Sequence, residues 1–133
     1  MLKLIIGLKG SGKTKTLIDM VNDKVESTDG AVVCLEKGEK LRHQIKYQAR
    51  LINMDDYTCG EQLYGFVTGI VASNHDVKDI FIDSAIKMFD KNIVPFTPFI
   101  LKLAEFGEKN DISFTVTSSI DPPDLPSELK KFV

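Results

Sequence analysis

Residues 7–14 read GLKGSGKT, directly behind the aliphatic run LKLII at 2–6 and directly ahead of an amphipathic stretch at 13–26. No other part of the chain narrows the fold as much. Gly7, Gly10 and Gly12 let the backbone turn through conformations that a Cβ would block. Such a loop aims successive N–H groups, including that of Ser11, at a single anion. A helix that starts where the loop ends adds its own unpaired N–H groups and the positive end of its dipole. Lys13 adds a cation for the β and γ phosphates, and Thr14 places a hydroxyl where Mg²⁺ can bind. The spacing is G-x-x-x-x-G-K-[ST], a pattern whose physics is that of a phosphate cradle. With glycine near 7% of residues, chance supplies such a match in roughly one chain in a few hundred of this length.

The rest of the chain reads as strands and helices in alternation. LKLII (2–6), AVVCL (31–35), DIFID (79–83) and SFTVTS (113–118) are short, apolar and bounded by turns, the signature of strands buried on both faces. RLINM (50–54) reads as an edge strand. Leu17, Val21 and Val25 place one apolar face on a helix over 13–26, and Leu63, Phe66, Val67, Ile70 and Val71 do so over 60–73. Gly65 and Gly69, four apart on that second helix, indicate close packing. Residues 84–96 are ambiguous. Thr97 as cap and Pro98 at the first helical position predict a helix running to about 109, with Ile100, Leu103 and Phe106 inward. The expectation is a single α/β domain over 1–133, a parallel sheet of about five strands with helices on both faces.

A phosphate cradle needs a metal partner, and its second anchor should be an aspartate at the C-terminal end of a neighbouring apolar strand. Asp83, closing IFID, meets that description. Bulk properties add exclusions. Of 133 residues 43% are hydrophobic and the net charge is −2, so the chain is not a polycation built to hold nucleic acid. Cys34 and Cys59 form no CxxC and read as buried or half-buried thiols, which fits a reducing cytoplasm. No apolar run approaches a membrane span, so membrane insertion is not expected, and the aliphatic start does not read as a signal peptide.

With these motifs the chain resembles the P-loop NTPase superfamily, GLKGSGKT standing as Walker A and IFID as Walker B. In finer detail it resembles the additional-strand branch that includes RecA-like ATPases. That resemblance implies strand order 3-2-4-5-1, with FTVTSS as the strand between the two motif strands and Thr117 or Ser118 facing the γ-phosphate. The chain is also similar to small clostridial-type stand-alone P-loop proteins often labelled twitching-motility ATPase. The motors themselves are far longer and carry acidic and histidine boxes that this chain lacks.

Many superfamily members place a glutamate directly after the Walker B aspartate to polarise the attacking water. Here that residue is Ser84. Two substitutes are at hand: Glu36, ending the second strand on the side where open α/β sheets bind ligands, and Glu61, in CGEQL at the start of the helix before IFID. Nothing like the guanine-reading N-K-x-D follows the fifth strand, so ATP is favoured over GTP. The only arginines, Arg42 and Arg50, fall in the basic segment 37–50. The expected function is therefore a small Mg²⁺–ATP-binding protein whose hydrolysis is slow or depends on a protein partner or a second copy. A nucleoside-kinase-like phosphotransferase is the first alternative, with an acceptor pocket near Phe89 and Phe96. A nucleic-acid or motor module using Lys37, Lys40, Arg42, His43, Lys46, Tyr47 and Arg50 is the second.

Overall fold

The computed structural model describes residues 1–57 and 60–133. Cys59, expected as a buried thiol, lies outside the described residues. The elements in chain order are β1 (Leu2–Gly7), α1 (Lys13–Ser27), β2 (Ala31–Glu36), β3 (Arg50–Asn53), α2 (Gln62–Ser73), β4 (Val77–Asp83), α3 (Ile93–Asn110) and β5 (Ser113–Ser119). They form one α/β unit whose sheet has the order β1-β5-β4-β2-β3. Every named strand pair in it is parallel.

The pleat sorts the strand residues onto two faces. Leu2, Leu4, Val33, Leu35, Ile80, Ile82, Phe114 and Val116 point into one core with Leu63 and Val67 of α2 and Phe96, Ile100 and Leu103 of α3. Val32, Cys34 and Phe81 point the other way, against Leu17, Ile18 and Val21 of α1. Leu41 and Ala49 join this second core, so the 37–49 segment folds back over α1 instead of running free. Lys24 of α1 reaches Asp79 on the same face at 3.8 Å. Because the strands are parallel, their C-terminal ends Gly7, Glu36, Asn53, Asp83 and Ser119 share one edge of the sheet, with Glu36 beside Asp83 and Gly7 beside Ser119 in register. Among the described residues no helix is long and apolar enough to cross a membrane.

Two local expectations are corrected. α3 starts at Ile93, not at Thr97: the Asn92 side chain accepts from the Val94 N–H at 3.0 Å, and Thr97 Oγ1 instead donates to the Ile93 carbonyl at 2.8 Å. Pro98 then sits inside the helix, where proline costs about 3 kcal/mol. Burial of Phe96, which is fully enclosed, returns roughly 1.5–3 kcal/mol, and the Asn92 cap about 1 kcal/mol more. The second correction concerns Gly65 and Gly69. A Cβ at either would meet nothing within 4 Å. They do not mark close packing; they line an open cavity of about 630 Å³ between α2 and the N-terminal end of the sheet. The close approach lies elsewhere, at Gly107 of α3, where a Cβ would come within 2.8 Å of the Ile112 carbonyl oxygen.

Candidate functional site

At the C-terminal edge of the sheet the 7–14 loop rises from β1 and runs into α1. Gly10 and Gly12 have φ of +87° and +90°, the left-handed region where a side chain is strained. Gly12 is the residue from which α1 departs, and no side chain caps that end of the helix. At Gly7 a Cβ would meet Ser11 Oγ at 2.6 Å, so the loop closes onto itself there. Lys13 folds back over the loop, its Nζ donating to the Leu8 carbonyl at 2.9 Å and to Ser11 Oγ at 3.4 Å.

Asp83 is the hub beneath this loop. It is 4% exposed. Thr117 Oγ1 donates to its Oδ1 at 2.7 Å, Thr14 Oγ1 donates to the same oxygen at 3.3 Å, and Ser84 Oγ donates to Oδ2 at 3.4 Å. The Ser84 N–H in turn donates to Thr117 Oγ1 at 2.9 Å. Thr14 and Asp83 thus lie side by side although they are 69 positions apart in the chain. Among the described residues no group of three His, Cys, Asp or Glu side chains gathers as a metal cage. Mg²⁺ does not require one: it commonly keeps several waters and binds through one or two carboxylates plus phosphate oxygens. Thr14 and Asp83 are hard oxygen donors of the right kind.

Of the two candidate glutamates, the structure brings Glu36 to Asp83 and leaves Glu61 apart. Glu36 is 2% exposed, and its two carboxylate oxygens accept from the Leu41 N–H at 3.2 and 3.3 Å. Burial raises its pKa, the backbone N–H groups of Leu41 and Lys40 oppose that, and the charges of Asp83 and Glu39 add to it. Glu61 is exposed and lines a separate cavity of about 390 Å³ with Tyr64, Phe89, Pro95, Pro98, Phe99 and Lys102. Thr117 and Ser118 point to opposite faces of β5. Thr117 belongs to the Asp83 cluster, whereas Ser118 is fully buried and its Oγ accepts from the Ile86 N–H at 3.1 Å. Ser118 therefore anchors the chain after β4 and does not face the loop. Phe89 and Phe96 pack edge to face at 5.8 Å within the core; Phe96 is fully enclosed, and Phe89 also borders the 390 Å³ cavity beside Glu61.

The raised pKa of Glu36 has a signed consequence. The folded chain holds the proton above the ordinary carboxylate value of 4.5, where the unfolded chain has released it. Stability therefore falls as pH climbs through that window. Asp79, raised mainly by burial and opposed by Lys24, acts in the same direction. Glu36→Gln is expected to flatten part of the decline in melting temperature as pH rises above about 4.5. An identical decline in the variant would mean that Glu36 carries no such linkage.

Two lysines of the basic segment are engaged in ion pairs, while Arg42, His43, Tyr47 and Arg50 are exposed. Lys37 pairs with Asp55 at 2.9 Å and Lys46 with Glu26 at 2.7 Å, while Asn22 of α1 bonds the backbone of Gln44 and Lys46. Lys40 instead turns toward the loop. A cavity of about 300 Å³ above it is lined by Lys9, Gly10, Gly12, Lys13, Thr14, Lys15, Lys40, Ser84, Lys87 and Ser119. Lys9 lies inside the GLKGSGKT motif and Lys40 in the basic segment 37–50, whereas nothing in the sequence pattern singles out Lys87, which reaches the cavity from the chain after β4. No family model matches the chain, and no curated protein matches it either.

Proposed function

We propose that this chain is a P-loop nucleotide-binding protein that holds Mg²⁺–ATP on the 7–14 loop and hydrolyses it slowly unless a protein partner or a second copy completes the site. One observation carries the reading: Thr14, at the end of the loop, touches Asp83, at the end of a different strand. A hydroxyl on the loop and a carboxylate at the end of a second strand are the two protein oxygens that a phosphate-bound magnesium needs. The sheet order supports the same reading. Taken from the β3 edge it runs 3-2-4-5-1, with β5 between the loop strand and the Asp83 strand.

In this reading the loop N–H groups and the start of α1 receive the phosphates. Lys13, tethered among the described residues to the Leu8 carbonyl and Ser11 Oγ, swings to the β and γ phosphates. Magnesium, when bound, neutralises charge on the β and γ oxygens. Slow turnover follows from the carboxylates. Ser84 follows Asp83 and carries no carboxylate, and Glu36, 2% exposed, is turned to the Leu41 N–H, so no solvent-exposed carboxylate stands directly after Asp83 to orient water. A cytoplasmic setting belongs to the same proposal.

Isothermal titration with ATP and with GTP, each with Mg²⁺, followed by a phosphate-release assay, tests it. Mg²⁺–ATP is expected to bind, and more tightly than Mg²⁺–GTP. Turnover by the purified chain is expected well below the enzyme median of about 10 per second. Absence of binding to both nucleotides would overturn the nucleotide reading. Turnover at or above that median would overturn the partner-dependent part, and Glu36→Gln and Glu61→Gln would then identify the base.

A further inference from the structure

We propose that Lys87, seconded by Lys40, is the chain's own cation for the terminal phosphate, so that the site tells a nucleoside triphosphate from a diphosphate without a residue from a partner. The inference rests on the nucleotide reading above and extends it to two residues outside the loop. Lys87 and Lys40 line the same cavity as Gly10, Gly12, Lys13 and Thr14, across from the loop that would cradle the phosphates.

The chain after β4 is built to deliver Lys87 there. Ala85, Ile86, Met88 and Phe89 of the short 3₁₀ segment 85–89 are all buried, and Lys87 alone of that segment is half-exposed. Non-glycine residues in left-handed backbone bracket it, Ser84 at φ 57° on one side and Asp90 and Lys91 at 53° and 61° on the other. Such backbone is sterically unfavourable and persists only where its surroundings impose it. Here they do: the Ser84 N–H is held by Thr117 Oγ1 and the Ile86 N–H by Ser118 Oγ, while the Lys91 N–H closes onto the Ile86 carbonyl at 2.9 Å. Lys40 is positioned separately. Its backbone N–H and that of Leu41 converge on the buried Glu36 carboxylate.

Lysines from three segments gather there. Among the described residues neither Lys9, Lys13, Lys40 nor Lys87 makes an ion pair, whereas Lys15 pairs with Asp19. No carboxylate lines the cavity among those residues; Asp83 lies below it with its oxygens taken by hydroxyls. The Lys87 pKa is lowered, chiefly by Lys40, then by burial and by Lys9 and Lys91, with Asp83 opposing. Mutual repulsion in a chain of net charge −2 is relieved by a polyanion, and more by three phosphates than by two.

The test is titration of the whole chain and its variants with Mg²⁺–ATP and Mg²⁺–ADP. The wild type is expected to prefer ATP. Lys87→Met is expected to lose about tenfold in ATP affinity, the scale of one charge-assisted hydrogen bond, with ADP affinity changed less than about twofold. Lys40→Met, on an independent loop, is expected to show the same selectivity of loss, and Lys87→Arg to restore the preference. Lys102→Met, which removes one charge beside Tyr64 far from the loop, should leave the ratio unchanged. Equal losses for ATP and ADP in both methionine variants, or no loss in either, would overturn the proposal while leaving the nucleotide reading intact. Failure of the wild type to bind either nucleotide would overturn both.

Discussion

Lys13→Ala is expected to weaken Mg²⁺–ATP binding by about 100-fold or more, because one ammonium serving two phosphates accounts for two charge-assisted hydrogen bonds. The same change should leave the fold intact. Among the described residues Lys13 is held by the Leu8 carbonyl and Ser11 Oγ, both contacts at exposed positions, and it is not part of the buried core between α1 and the sheet. Titration and thermal melting of one preparation measure the two effects together. Unchanged affinity with an unchanged melting temperature would remove the 7–14 loop from nucleotide binding. Lost affinity with a collapsed melting temperature would show that the side chain is structural instead.

Asp83 is expected to give the second large effect, and the choice of substitution separates its two roles. Asp83→Asn keeps an oxygen that Thr117 Oγ1 and Thr14 Oγ1 can donate to, but removes the charge a metal needs. Its ATP affinity with Mg²⁺ should drop about tenfold or more, toward the metal-free value, while the metal-free affinity stays close to that of the wild type. Asp83→Ala goes further. The Thr117 hydroxyl, 1% exposed, would lose its acceptor, and a buried unsatisfied donor costs about 1–3 kcal/mol. A fall in melting temperature of roughly 4–11 °C is expected for a domain of this size. A magnesium titration of Asp83→Asn that overlays the wild type would assign Asp83 to structure alone.

These two residues show how far a single sequence reaches. Lys13 and Asp83 were legible because each stands at a fixed offset from a strand end: one follows a glycine loop, the other closes an aliphatic run. Glu36 and Glu61 looked equivalent on that basis. They are separated by the 37–49 segment, which folds onto α1 through Leu41 and Ala49 and turns its backbone N–H groups to Glu36. No periodicity announces that return. Thr117 and Ser118 likewise looked interchangeable, yet the pleat sends one to Asp83 and the other to Ile86. Thr97–Pro98 is a good local cap signal, yet α3 starts at Ile93. The competing signal, Asn92 with Phe96 buried behind it, depends on a core the sequence does not display.

What the sequence by itself determined is short-range. Apolar runs of four to seven residues became parallel strands, four-residue apolar spacing became helices packed on both faces of the sheet, and glycines at 7, 10 and 12 let one strand-to-helix turn close tightly. Each follows from steric and hydrophobic patterns confined to neighbouring residues. Tertiary structure alone decided which charges meet. Parallel pairing brings the ends of β1, β4 and β5 to one edge, the left-handed turn at Ser84 carries Lys87 toward the loop, and the buried Glu36 holds the backbone of Lys40 beside it. Coulomb energy depends on distance in space and on burial, and the spacing of these lysines along the chain encodes neither.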